Sequence, residues 1–365
     1  MRQLKTIAAG LLMTLCLQAA AQNDKPVFEY DLAPRIRFIN YEYDGSDLDY
    51  SRTLFGVRLR ATAGIGIENG KTRHKIQAGA DPLYSFGGGW KIQPLIYYQF
   101  STPLRHSRFN IIAGMFPRSE SKAWYSMAFF SDANHFLDSS YEGIQFSWQL
   151  RHSYFELGVD WQGELRPSAP AVREEFSVYS GGEWRTLMNI LKLGYAARMH
   201  HYACNAEGSA TNVVDDILVN PYIEANFGPS VKMQKLAVRL GYLQSFQRDR
   251  AVDDRLLTPA KGEFTAVVRH FNVILTNELF FGADLMPYYD SPAPEGGNYG
   301  NSMYMGDPFM RNAGGAKFGV MDRITLAWEP RLAKNLTLSI LARAYFNGGF
   351  AGHQEQIGIK YTLGK

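Results

Sequence analysis

Phe55-Gly56-Val57-Arg58-Leu59-Arg60-Ala61-Thr62-Ala63-Gly64-Ile65-Gly66-Ile67 carries an apolar side chain at every second position, and the intervening set holds Arg58, Arg60, Thr62 and glycine. Successive side chains of a strand point to opposite faces, so this segment has one greasy face and one wet face. It is much longer than the usual soluble strand of about five or six residues. A tilted strand needs about nine to eleven residues to cross a bilayer, and this one has enough. Length therefore points to a membrane strand.

The pattern recurs outward from that segment. Trp90, Ile92, Ile96, Tyr98 and Phe100 alternate with Lys91, Gln93 and Gln99. Phe155, Leu157, Val159 and Trp161 alternate with Glu156, Gly158, Asp160 and Gln162, and Ile357, Ile359, Tyr361 and Leu363 with Gln356, Gly358, Lys360 and Thr362. Strands are predicted near 33–43, 53–67, 72–82, 90–100, 107–116, 141–151, 153–162, 173–179, 189–201, 215–227, 234–247, 261–270, 274–286, 317–330, 334–346 and 354–364. The eighth has a weak pattern, so the count is about sixteen within a range of about 12–18; bacterial barrels use even numbers. Connections after even strands are mostly short, such as 68–71, 101–106 and 151–153. Those after odd strands include 117–140, 202–214, 248–260 and 287–316. Short turns on one rim and long loops on the other fit an all-β, antiparallel transmembrane barrel with its long loops outside.

The rest of the composition agrees. Arg2 and Lys5 precede an apolar stretch from Ile7 to Leu17, and Ala19-Ala20-Ala21 offers small residues for cleavage before Gln22. Residues 1–21 read as a cleavable Sec-type signal peptide and 22–365 as one barrel domain in the outer membrane of a Gram-negative cell. Without 1–21, 36 Lys and Arg face 35 Asp and Glu, a balance that argues against a nucleic-acid binder. One cysteine, Cys204, then remains, so no intramolecular disulfide is expected. Outer-membrane lipid and lipopolysaccharide are the expected surroundings, small polar solutes the expected partners, and homo-oligomerisation is left open.

In signal, alternation, strand number and loop asymmetry, the chain resembles the sixteen-stranded outer-membrane porins. The resemblance is architectural and rests on no diagnostic motif. It implies passive diffusion of small polar or charged solutes through a water-filled lumen, with the loop after the fifth strand, here 117–140, folded inward as a constriction. Two features depart from porins: the chain ends Thr362-Leu363-Gly364-Lys365 without a terminal aromatic, and the loop at 83–89, where porins latch trimers, is short.

Charged residues in the lumen phase cluster on strands that adjoin after closure: Arg37, Arg58, Arg60, Arg323, Arg343 and Lys360. The 117–140 loop supplies Glu120, Trp124, Asp132 and Asp138. A basic wall across from an acidic loop would tune ion preference; the plainer expectation is that these bases solvate a wet lumen or pair with acids such as Glu278. His200, His201 and Cys204 form a His/Cys group, but adjacent strand residues face opposite ways and cannot easily share an ion, so no metal or other cofactor is expected. No catalytic residue is assigned and no enzymatic activity is expected. The alternatives are a lipid-modifying membrane enzyme, for which His201 is the lipid-phase histidine nearest the outside, and a non-conducting surface or scaffold barrel. The glycine- and methionine-containing 287–316 segment reads as an external loop packed on itself, with a lid over the mouth or a surface for a partner as the alternatives.

Overall fold

The computed structural model describes residues 26–43, 46–163, 174–186, 190–203, 213–250, 252, 255–293 and 297–364. Residues 1–21, read above as a signal peptide, and Cys204 lie outside the described residues. Sixteen long strands form one antiparallel sheet: β1 Val27–Glu42, β2 Arg52–Asn69, β3 Thr72–Ser85, β4 Gly89–Leu104, β5 Ser107–Pro117, β6 Ser140–Leu150, β7 Ser153–Gly163 and β8 Glu174–Arg185. The second half comprises β9 Leu191–Ala203, β10 Val213–Asn226, β11 Lys235–Asp249, β12 Ala260–His270, β13 Val273–Gly282, β14 Gly319–Trp328, β15 Leu336–Asn347 and β16 Phe350–Tyr361. Two short segments, Arg331–Ala333 and Leu363–Gly364, extend the pairing of β15 and β1. Each strand pairs with the next, and β16 pairs back to β1 from Arg35↔Lys360 to Glu42↔His353. Closure leaves no free sheet edge, so backbone polar groups at membrane depth find partners within the wall.

The period of two sets what each face meets. In β2, Phe55, Leu59 and Ile65 are exposed on the outside while Arg58 and Thr62 are buried inside. Bilayer hydrocarbon would cover the apolar set. Rims differ as expected: Gly70, at φ +61, heads a two-residue turn between Asn69 and Thr72, whereas β5–β6 and β13–β14 are joined by long segments. The weak eighth strand forms along 174–185, longer than its alternation suggested, because Gly181 and Gly182 interrupt the pattern without interrupting the ladder. Lumen-side aromatics use glycine as floor space: a Cβ on Gly194 would lie 2.2 Å from the Tyr222 ring across the ladder.

The lumen is packed in its long-loop half. The β5–β6 connection carries helix α1 (Asp132–Leu137) and the β13–β14 connection carries helix α2 (Gly300–Met303), and both connections fold inward. Met303, Phe309 and Met310 are fully buried. Phe309 stacks on Tyr345 (4.6 Å) and meets Tyr43 edge-on (4.9 Å). The backbone NH of Ser131 donates to Met305 O (2.8 Å) and that of Asp307 to Met127 O (2.8 Å), so the two inward connections hold each other. This corrects the reading of 287–316 as an external, self-packed loop. Its apolar residues leave water by entering the barrel, where Tyr43, Phe280, Met321 and Tyr345 form one cluster with them.

Candidate functional site

Inside the barrel, the charged residues singled out from sequence are mostly engaged with one another or with the 117–140 connection. Asp132, in the first turn of α1, takes Arg343 Nη1 and lies 3.8 Å from Arg37. Burial alone would raise the Asp132 pKa, but the guanidiniums of Arg343, Arg37 and Arg323 outweigh it and hold the carboxyl well below the usual range. Arg343 also donates to Thr325 Oγ1 and Gln354 Oε1, both at 2.9 Å. Arg58 lies 3.4 Å from Asp81 and donates to Phe136 O (2.6 Å) at the end of α1. Arg60 reaches Ser119 (2.9 Å) and Asp31 (3.4 Å), and Arg323 pairs with Glu278 at 2.6 Å. Lys360 sits among the charges of Arg35, Arg60 and Asp31. Asp138 binds Arg118 and accepts from Gln93 Nε2 (2.7 Å). Trp124 lies under the Arg239 guanidinium, 3.5 Å from its ring centre.

Direct pairs thus hold Asp132 and Asp138 of the connection against Arg37, Arg343 and Arg118. Sequence reasoning missed Arg118, which is buried against Tyr141 (4.2 Å) and joins Asp138 to Asp160 (2.9 Å). It also missed Asp307, 3.9 Å from Arg323, whose carboxyl burial pushes up to about 6 against that guanidinium. Neither follows from strand alternation, since both sit on inward connections. Helical spacing gives no signal either, because Arg118 opens, and Asp307 caps, a 3-10 turn of only three residues.

A second set of polar groups lies on the outer face. Trp161, Phe176, His201, Asp215 and Arg248 are cross-strand partners in one continuous row over β7 to β11. Their neighbours in the chain show which way they point: Asp160, Ser177, His200, Val214, Asp216, Gln247 and Asp249 are buried on the lumen side. The row therefore faces outward, within a few residues of the long-loop rim. Trp161 stacks on Phe176 (5.1 Å) and Phe176 on His201 (4.8 Å), which fixes the imidazole plane. Asp215 accepts from Arg248 Nη2 (2.9 Å) and from Arg250 Nη2 (2.9 Å). Directly opposite residues on antiparallel strands hold their Cβ atoms about 4.5–5.5 Å apart, so His201 and Asp215 are within side-chain reach. Lumen-facing His200 instead contacts Glu175 Oε1 at 3.0 Å. Among the described residues no group of three or more His, Cys, Asp and Glu is placed to hold a metal ion.

Chemically, the row and the neighbouring Arg250 offer a positioned imidazole, a carboxylate across from it and two guanidiniums near the long-loop rim. An imidazole can accept and return a proton, and guanidiniums favour phosphate or developing oxyanion charge.

Solved structures with the same fold include OpdO of Pseudomonas aeruginosa, at 10% identity and TM-score 0.53, with 92% of this chain and 97% of that one covered. OmpT of Vibrio cholerae with its loop L8 deleted matches at 11% identity and TM-score 0.50, covering 93% and 99%. An anion-selective porin from Comamonas acidovorans matches at 9% identity and TM-score 0.50, covering 93% and 100%. At such identities the likeness establishes porin-type barrel architecture. No curated protein matches the chain.

A family model described as lipid A 3'-O-deacylase-type matches residues 35–236, more than half of the chain, from β1 into β11 and including His201 and Asp215. That match overturns the expectation of a barrel without enzymatic activity. Sequence alternation could not reveal this, because it reports which face a residue occupies and is blind to what a rare polar residue does on the lipid face. By this match, the chain belongs to the lipid A 3'-O-deacylase-type family.

Proposed function

We propose that this outer-membrane barrel is a hydrolase that removes an ester-linked acyl chain from a lipid A-type glycolipid in the outer leaflet, using the outward row at His201. The observation that carries the reading is the row itself. Polar side chains are costly on a lipid-facing strand surface; here five cross-strand partners place His201 beside Asp215, with Arg248 and Arg250 anchored on the same carboxylate. In this scheme His201 takes a proton from water as the oxygen adds to the acyl carbonyl. The tetrahedral intermediate then collapses, the C–O ester bond breaks, and the imidazolium returns the proton to the leaving sugar oxygen. Products are a free fatty acid and a sugar hydroxyl. Arg248 and Arg250 hold a headgroup phosphate or the developing oxyanion, and Trp161 and Phe176 line the path of the acyl chain.

Mass spectrometry of lipid A incubated with the purified barrel tests this. The expected result is loss of one acyl chain, slowed about 10²–10⁴-fold by His201→Ala, the range for a general base. A His201→Ala protein that deacylates at the parent rate would overturn the assignment.

A second reading, diffusion of small polar solutes through the lumen, is favoured by girth, since sixteen strands enclose more than side chains alone fill. On that reading Arg37, Arg58, Arg60, Arg323, Arg343 and Lys360 line the path, with Glu120, Trp124, Asp132 and Asp138 narrowing it. Steady conductance in planar bilayers would support it, and electrically silent, fully inserted protein would exclude it.

A further inference from the structure

We propose that the short-turn end of the lumen contains a binding site for a small multivalent oxyanion, a carboxylate or phosphate solute, held by Arg108 and Lys122. The site is separate from the outward row and does not depend on the hydrolase reading. A cavity of about 210 Å³ lies between the lumen wall of β3–β6 and the start of the inward 117–140 connection. At about 30 Å³ per water, it has room for roughly seven waters or a compact di- or trianion. Its wall is in register: Arg73 pairs with Ser101, Ser101 with Asn110, and Asn110 with Ser147, so neutral donors run in a row beside the bases. The strands put this row close to the β2–β3 turn, at the short-turn end of the barrel.

Charge decides the ligand class. Four bases line the cavity, Arg73, Lys75, Arg108 and Lys122, against one acid, Glu120. Arg73 and Lys75 are already committed to Glu29, at 2.5 and 3.5 Å. The Arg108 guanidinium reaches Ser101 Oγ at 3.3 Å. Lys122, which also lines the cavity, is anchored through its backbone NH, which donates to Glu156 Oε2 (2.9 Å). Among the described residues neither Arg108 nor Lys122 forms an ion pair. Even counting Glu29 and Glu156, the cross-strand partner of Ser147, one positive charge is in excess, and the surrounding barrel wall and hydrocarbon make it count for more than it would in bulk water. Ions of the opposite sign are drawn to such clusters, and two or more oxygens on one solute could engage the guanidinium and the ammonium together.

Titration calorimetry of the full mature barrel in detergent at low salt tests the site, with inorganic phosphate and succinate as separate probes and chloride as control. Saturable one-site binding of either probe is expected, with the two arms showing which oxyanion is preferred. The Arg108→Gln/Lys122→Gln protein should bind at least about ten-fold more weakly, as charged hydrogen bonds are lost. Lys334→Gln, a charge change on an exposed turn, should bind like the parent. Should the double variant fail to fold, Glu120→Gln supplies the complementary test: removing the acid should tighten phosphate binding several-fold. Non-saturating binding, equal loss with Lys334→Gln, or an affinity untouched by Glu120→Gln would each overturn the proposal.

Discussion

Neutralising Asp132 tests whether charge pairs pin the inward β5–β6 connection. Asp132 binds Arg343 and faces Arg37, and its own side chain is 27% exposed against 9% for Arg343. Breaking a fully buried pair by removing one partner costs about 3–5 kcal/mol, and an exposed pair is worth about 0–1 kcal/mol. The intermediate exposure places Asp132→Asn near 2 kcal/mol, or about thirty-fold in a local opening equilibrium. The loss should be local, because the wall is held by ladders that Asp132 does not touch. Hydrogen exchange reads this directly: the amides of His135 and Asp138, bonded to Ser131 O (3.1 Å) and Asn134 O (2.8 Å), should exchange about thirty-fold faster. Amides in β2 should be unchanged. Arg343→Gln should have a similar effect, and the double variant should be little worse than either single one, the signature of a shared interaction. Exchange within about three-fold of the parent, or full additivity of the two changes, would refute the pinning argument.

Three further outcomes can be checked. His201→Ala should abolish most acyl release while leaving the heat-modifiable migration of a folded barrel intact, separating a chemical role from a structural one. Asp307, with its carboxyl pushed up to about 6 by burial, has a folded-state pKa above the unfolded value near 3.9. Its contribution is therefore fully present below about pH 4 and lost as pH rises through about 6, so amides of the β13–β14 connection should be better protected at pH 5 than at pH 7.5, and Asp307→Asn should flatten that dependence. An epitope inserted at Gly297 should be reachable on intact cells and one at Asn69 only after the outer membrane is opened; the reverse pattern would invert the assignment of the two rims.

Much of the architecture could be read from residues 55–67 and their repeats, because a period of two on a long strand is a local property that the pleat translates directly into inside and outside. The parity of Arg58, Leu59 and Arg60 needs no partner strand to be correct. Turn signals such as Asn69-Gly70 mark strand ends equally locally, which is why sixteen strands and sorted loops emerge from the chain alone. What could not be read is where non-repetitive chain goes. Phe309, Met310 and Met303 are apolar residues without a period, and only the closed wall, with Tyr43 and Tyr345 waiting inside it, makes the lumen their drier alternative. Likewise, Asp132 and Arg343 are 211 residues apart, and their pairing depends on the curvature that brings α1 to β15. The outward row is the clearest case. His201 drew notice in the sequence only beside His200 and Cys204 and as a lipid-phase histidine, and Asp215 and Arg248 drew none; only the ladder register of three adjacent strands makes the three neighbours, because a hydrogen-bonded sheet aligns residues that the sequence keeps apart.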